Sequence, residues 1–237
     1  MAESLSSHLN LENLQRQIIR CTRCPRLVEY REKVARDKRR MFCDWDYWGK
    51  PVPGFGDPNA ELLIVGLAPA AHGANRTGRM FTGDRSGDFL FRALYEADFA
   101  SQPNSQNRED GLRLRRCYIT AALRCAPPAN KPLPQELRNC QPYLKSELEL
   151  LRRVRAVLAL GRIAFDRYLS VIGEQVSLPP RSTMPFAHGA SYQLPGGLPR
   201  LFASYHPSQQ NTQTGKLTRE MMRTVLAGID NYLRALP

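Results

Sequence analysis

The sequence predicts an α/β fold with a largely parallel sheet, on three observations. Four apolar runs, at 62–67 (LLIVGL), 117–122 (CYITAA), 154–160 (VRAVLAL) and 201–205 (LFASY), have the length and composition of buried strands. Helical periodicity separates them, and polar loops rich in Gly or Pro, notably 101–111 and 178–199, fill the gaps. Strand alternating with helix is the pattern of a parallel sheet covered by helices. In chain order, the first run leads through a Gly-rich segment into a helix on which Phe89, Leu90, Ala93, Leu94 and Ala97 share one face. The second leads through a Pro-rich loop into a helix over 137–151. The third passes directly into a helix over 163–172, and the fourth reaches a helix over 218–233 through a polar stretch.

In open parallel sheets, ligands bind at the carboxyl ends of the strands. Those ends are Gly66-Leu67-Ala68-Pro69-Ala70, 121–125 (AALRC), Gly161-Arg162 and Tyr205-His206-Pro207-Ser208. The unusual residues of the chain gather at these places, which predicts one active site there.

A length of 237 residues allows one domain or two. The net charge of +12 points to an anionic polymer as partner, since Lys and Arg displace counterions from phosphates; a solvated basic surface is the alternative. No stretch approaches the ~20 apolar residues of a membrane helix. The N-terminus lacks the apolar segment of a secretory signal, so a cytoplasmic protein is expected. Nothing in the sequence calls for an obligate oligomer, so a monomer is expected.

In the cytosol the six cysteines are expected to stay reduced. Cys21 and Cys24 form a C-x2-C pair followed by Pro25, and Cys125 and Cys140 flank the loop APPANKPLPQELRN. Four such thiolates suit a structural zinc or a [4Fe-4S] cluster, and spacing does not separate the two. The alternative, buried small hydrophobes, is weak for Cys21 and Cys24 among polar neighbours. It is the better reading for Cys117, inside a strand, and for Cys43.

Four segments together, CTRCP at 21, GLAPAAHGANRTGRMFTGD at 66–84, AALRCAPPANKPLP at 121–134 and SYHPSQQNTQTGKLTRE at 204–220, resemble the family-5 (type B) uracil-DNA glycosylases. The resemblance spans about residues 21 to 226. It implies a single domain over 1–237, with 1–20 as an N-terminal helical extension, and a central four-stranded parallel sheet flanked by helices. It also implies a [4Fe-4S] cluster on Cys21, Cys24, Cys125 and Cys140, in a structural role, and DNA containing uracil or other deaminated bases as the partner.

Cutting an N-glycosidic bond leaves an oxocarbenium-like sugar and an anionic base. The target must first be flipped out of the duplex. Phe81, in the polar run GRMFTGD, is the candidate stacking platform. The backbone of Gly66, Leu67, Ala68, Pro69 and Ala70 can offer N–H groups to a base carbonyl. Asp84 reads equally as a helix N-cap and as the carboxylate that places water and steadies the sugar cation; the resemblance favours the second. His206, just after the fourth strand, can donate to the base oxygen where charge grows. Ser208, Gln209, Gln210, Asn211 and Thr212 belong to a run suited to a DNA groove. Arg76, Arg79 and Arg85 are candidate phosphate contacts, and Asn130 is a weaker candidate for base contact. His72 and His188 are left as structural or DNA-facing, and the basic helix face at 31–40 as solvated or DNA-facing. Related family-4 enzymes read TNVVKC where this chain has Thr120-Ala121-Ala122-Leu123-Arg124-Cys125. Ala121 thus replaces the asparagine that reads the edge of uracil, so hypoxanthine and xanthine are expected as further substrates.

A non-catalytic nucleic-acid-binding protein with a zinc or iron–sulfur staple explains the charge and the cysteines. It leaves the loop ending in Asp84, and His206, without a purpose. An iron–sulfur electron carrier is the third reading, and the chain is larger than one cluster needs.

Overall fold

The computed structural model describes the backbone of residues 2–236 and the side chains of residues 10–236. Its elements in chain order are α1 (Ala2–Ile19), α2 (Pro25–Asp37), β1 (Phe55–Gly56), β2 (Leu62–Gly66), α3 (Ala74–Thr77), α4 (Arg85–Glu96), β3 (Cys117–Ala121), α5 (Pro134–Leu150), β4 (Ala156–Leu160), α6 (Arg162–Ile172), β5 (Ser191–Tyr192), β6 (Arg200–Ser204), α7 (Gln209–Gln213) and α8 (Arg219–Arg234). The strands form one sheet in the order β1-β3-β2-β4-β6-β5. Its four central strands are parallel, as the four apolar runs predict. The two outer strands, β1 and β5, are antiparallel additions of two residues each. They went unread because two residues show no periodicity.

β2, β3 and β4 are buried along their whole length, as expected of strands with helices on both faces. Alternate residues feed two cores. Leu62, Ile64, Cys117, Ile119 and Ala121 pack toward α4 and α8. Leu63, Val65, Tyr118 and Val157 pack toward α6 and Leu11 of α1. A third cluster joins Leu14, Ile18 and Leu27 from α1 and α2 to Leu123, Cys125 and Cys140. The strand register places Gly66 beside Ala121 and Leu160 beside Ser204, so the carboxyl ends form one rim. Beyond it the ladder continues, with the Ala122 and Leu123 amides donating to the Gly66 and Leu67 carbonyls at 2.9 Å. Among the described residues, no helix is long and apolar enough to cross a membrane.

Candidate active site

The segment between β2 and α4 builds one wall of the site. The Ala68, Ala70 and Ala71 amides have no acceptor among the described residues and remain available to a ligand. Phe81 adopts a left-handed backbone with φ +53°, unusual for an aromatic residue. Its ring lies against Gly66, where an added Cβ would sit 2.8 Å from two ring atoms. Gly66 is thus the residue that lets the ring reach the strand end. The Phe81 ring stacks with the imidazole of His206, with centroids 5.7 Å apart and planes at 30°. The sheet thereby joins an aromatic from the first crossover to a histidine from the last.

Of the two sequence readings of Asp84, the structure shows the helix cap, and it leaves one carboxylate oxygen outside the cap. Its Oδ1 accepts from the Gly87 amide at 2.9 Å, capping α4. Its Oδ2 faces Gly73, where an added Cβ would stand 2.0 Å away. Burial pushes the Asp84 carboxyl above its ordinary value, while the Gly87 and Ser86 amides pull the other way. Gly87 in turn abuts the Phe81 carbonyl, where an added Cβ would come within 1.7 Å, so the cap and the aromatic platform share one contact.

His206 follows β6, and Asn211 Nδ2 donates to its carbonyl at 2.8 Å. Burial lowers its imidazole from 6.5 to about 4, so the ring is neutral at pH 7. Among the described residues, neither ring nitrogen has a hydrogen-bond partner, which leaves an N–H to donate into the site.

Arg76 and Arg79 are not surface phosphate contacts. Arg76 is buried; its Nε donates to the His72 carbonyl at 2.9 Å and its Nη2 to the Gly83 carbonyl at 2.8 Å. Its guanidinium lies 3.8 Å from the centroid of Phe42 and 4.0 Å from that of Trp45. Arg79 donates to Thr82 and Ser105 and pairs with Asp110 at 2.6 Å. The segment folds back on itself, and its arginines satisfy its own carbonyls and a neighbouring loop. Arg85 is exposed.

The polar run after His206 is also partly corrected. Ser208 caps α7 and Thr212 bonds back to the Ser208 carbonyl. With Asn211 held by His206, these three side chains serve the loop itself. Gln209 and Gln210 are exposed. Ala121 is buried at the end of β3. Asn130 lies exposed on a left-handed turn, with φ +56°. His72 shares a hydrogen bond with Tyr47, and His188 with Ser204.

Cys21, Cys24, Cys125 and Cys140 line one cavity, together with Arg124 and Asn139. Cys117 is buried inside β3 and Cys43 is exposed; neither lines that cavity. The Arg124 amide donates to Cys140 Sγ at 3.3 Å and Asn139 Nδ2 to Cys24 Sγ at 3.4 Å. Burial pushes the Cys125 thiol up to about 12 and Cys140 to about 11, with the neighbouring cysteines adding to the rise. Such a set holds thiolates only when a cation joins it. Among the described residues, no three His, Cys, Asp or Glu side chains close around a single ion. The four side chains that share the cavity are all sulfur donors, a chemistry that suits a structural zinc and an iron–sulfur cluster alike.

Sequence reasoning missed three features. Gly73, which makes room for Asp84, is not marked among the glycines of its run. The Arg76 clasp requires an aromatic loop that is distant in sequence. The fully buried Arg124–Glu147 pair joins a residue just beyond β3 to one on α5, which no local pattern connects.

The model of the uracil DNA glycosylase superfamily matches residues 53–229. A Thermus thermophilus protein named Type-5 uracil-DNA glycosylase is 55% identical over 206 residues, covering 87% of this chain and 90% of that protein. A Mycobacterium bovis protein of the same name is 51% identical over 217 residues, covering 89% and 79%. A third, from Pyrobaculum aerophilum, is 47% identical over 210 residues, covering 89% and 88%.

Proposed function

Because the chain belongs to the uracil DNA glycosylase superfamily, in its type-5 branch, we propose that it removes uracil from DNA by hydrolysing the N-glycosidic bond and leaving an abasic site. The observation that carries this is the convergence of Phe81, Asp84 and His206 on one rim of the sheet, beside unpaired backbone amides. A flipped base needs a flat partner, and Phe81 offers one. The departing base gathers negative charge on its carbonyl oxygen. A neutral His206 N–H and the free amides of the 68–71 segment can stabilise that charge without giving up a proton. Asp84, when ionised, supplies the opposite charge to the sugar cation, and its uncapped oxygen can orient the attacking water. The bond from sugar to base breaks and the base departs as an anion; water oxygen bonds to the sugar carbon, and the proton that water gives up ends on the departed base.

The reading extends to hypoxanthine and xanthine. Ala121, buried at the end of β3, puts a methyl group where a carboxamide would demand the edge of uracil. A wrong base facing a buried amide leaves it unpaired, at about 1–3 kcal/mol, and alanine imposes no such cost. The four cysteines suit a [4Fe-4S] cluster, which would tie α1 and α2 to the end of β3 and the start of α5; no catalytic step runs through it. Gln209, Gln210 and Arg85, being exposed, are the remaining candidates from the predicted DNA contacts.

The test is incubation with a duplex carrying one uracil, followed by alkali. Cleavage at the uracil, strongly slowed in Asp84→Asn, supports the reading. Binding without cleavage makes the protein a non-catalytic DNA binder.

A further inference from the structure

We propose that Arg124 is the electrostatic partner of the four-cysteine centre: its buried, half-paired guanidinium holds an anionic thiolate cluster against the end of β3. The inference rests on the reading that the cysteines hold such a cluster, and goes beyond it by assigning a positioning residue that is not a ligand.

Four observations converge. Arg124 is 1% exposed, among the most deeply buried large side chains of the protein. Only its Nη2 has a partner, Oε2 of Glu147, to which Thr120 also donates. Its Nε and Nη1 are buried with none. The same residue lines the cavity walled by Cys21, Cys24, Cys125 and Cys140, and its amide already donates to Cys140 Sγ at 3.3 Å.

A buried guanidinium cannot shed its proton, so each unpaired N–H keeps its desolvation cost until an acceptor arrives. Glu147 meets one end of the fork and leaves the rest. Thiolates and the sulfides of a cluster are acceptors of the right sign, and N–H donation to sulfur is a known lever on cluster potential and retention. Arg31 repeats the pattern on the other flank. It is buried, its Nε has no partner, its Nη1 is held by the Gly49 carbonyl, and its charge bears on Cys125. The bland alternative is an ion pair that only pins α5 to β3. That role moves folding stability and leaves the properties of the cluster alone.

The experiment uses the full chain, purified anaerobically with its metal. The double variant Arg124→Gln with Glu147→Gln keeps the core neutral and hydrogen-bonded. It is expected to fold, to lose iron to a chelator at least fivefold faster than native protein by absorbance near 400 nm, and to have a more negative midpoint potential. Glu147→Gln alone leaves the arginine with its full charge and is expected to shift the midpoint positively with no faster loss of iron. It decides the matter if the double variant does not fold. Native iron retention and an unmoved midpoint in every variant that folds would overturn the assignment. Native protein without iron and sulfide would instead overturn the cluster reading on which it rests.

Discussion

Replacing Gly73 with alanine is expected to slow excision by about a hundredfold while leaving every catalytic candidate chemically intact. The added Cβ would stand 2.0 Å from Asp84 Oδ2 and 2.8 Å from Cγ, whereas real Cβ contacts essentially never fall below 3.0 Å. The carboxylate must therefore retreat by at least about 1 Å. A shift of that size in a reacting group costs on the order of 10²-fold in rate. If the retreat also breaks the 2.9 Å bond to the Gly87 amide, α4 loses its cap and the fold loses about 1 kcal/mol. Asp84→Asn is the complementary change. Asparagine caps helices as well as aspartate does, so stability should stay near native while the rate falls by roughly 10²–10³-fold with the lost charge. Single-turnover kinetics on a uracil duplex, a DNA-binding titration and thermal melts of both variants provide the measurements. Unchanged excision in Gly73→Ala would mean that the position of the Asp84 carboxylate does not govern the chemistry. A melting loss in Asp84→Asn equal to that in Gly73→Ala would reduce Asp84 to its cap.

Three further outcomes are expected. His206 should contribute no step near 6.5 to the pH–rate profile, because it is already neutral above about 4. Activity should fall on acidification as Asp84 protonates, its raised value bringing this in at higher pH than for an ordinary aspartate; a rate that rises as pH drops through 6.5 would make His206 a cationic donor. His206→Ala should lower the single-turnover rate by ~10²-fold with little change in DNA affinity; a matching loss of affinity would make it a groove contact. Ala121→Asn should narrow the substrate range toward uracil, so excision of hypoxanthine and xanthine from matched duplexes should fall relative to uracil. Native protein that removes uracil alone would defeat the specificity reading while leaving the glycosylase assignment standing.

The parallel core was legible because four continuous apolar runs can only be buried between helices. Errors fell where tertiary structure decides. The run at 154–160 enters the sheet two residues late, at Ala156. The Arg155 and Ala156 amides both turn to the Glu61 carbonyl there, a contact across a crossover that no local pattern encodes. Phe81 was visible as an aromatic in a polar run, Asp84 as the carboxylate that closes the same loop, and His206 as a histidine just after a strand. Asp84 looked ambiguous because a carboxylate has two oxygens, and the fold uses one as the cap of α4 while the other faces Gly73. Arg76 and Arg79 misled because a charge in a loop looks solvated until the loop is known to enclose it.

The Arg76 clasp also bears on how the protein searches DNA. One guanidinium holds the His72 and Gly83 carbonyls, the two ends of the pocket segment, between the rings of Phe42 and Trp45. The chain between those ends has already lost its conformational freedom at folding, about 1–2 kcal/mol per residue that need not be lost again when a base arrives. A normal base that enters and leaves therefore meets a fixed gauge, and sampling each nucleotide requires no reordering of the protein. The time spent on an undamaged site is then set by how readily the nucleotide unstacks.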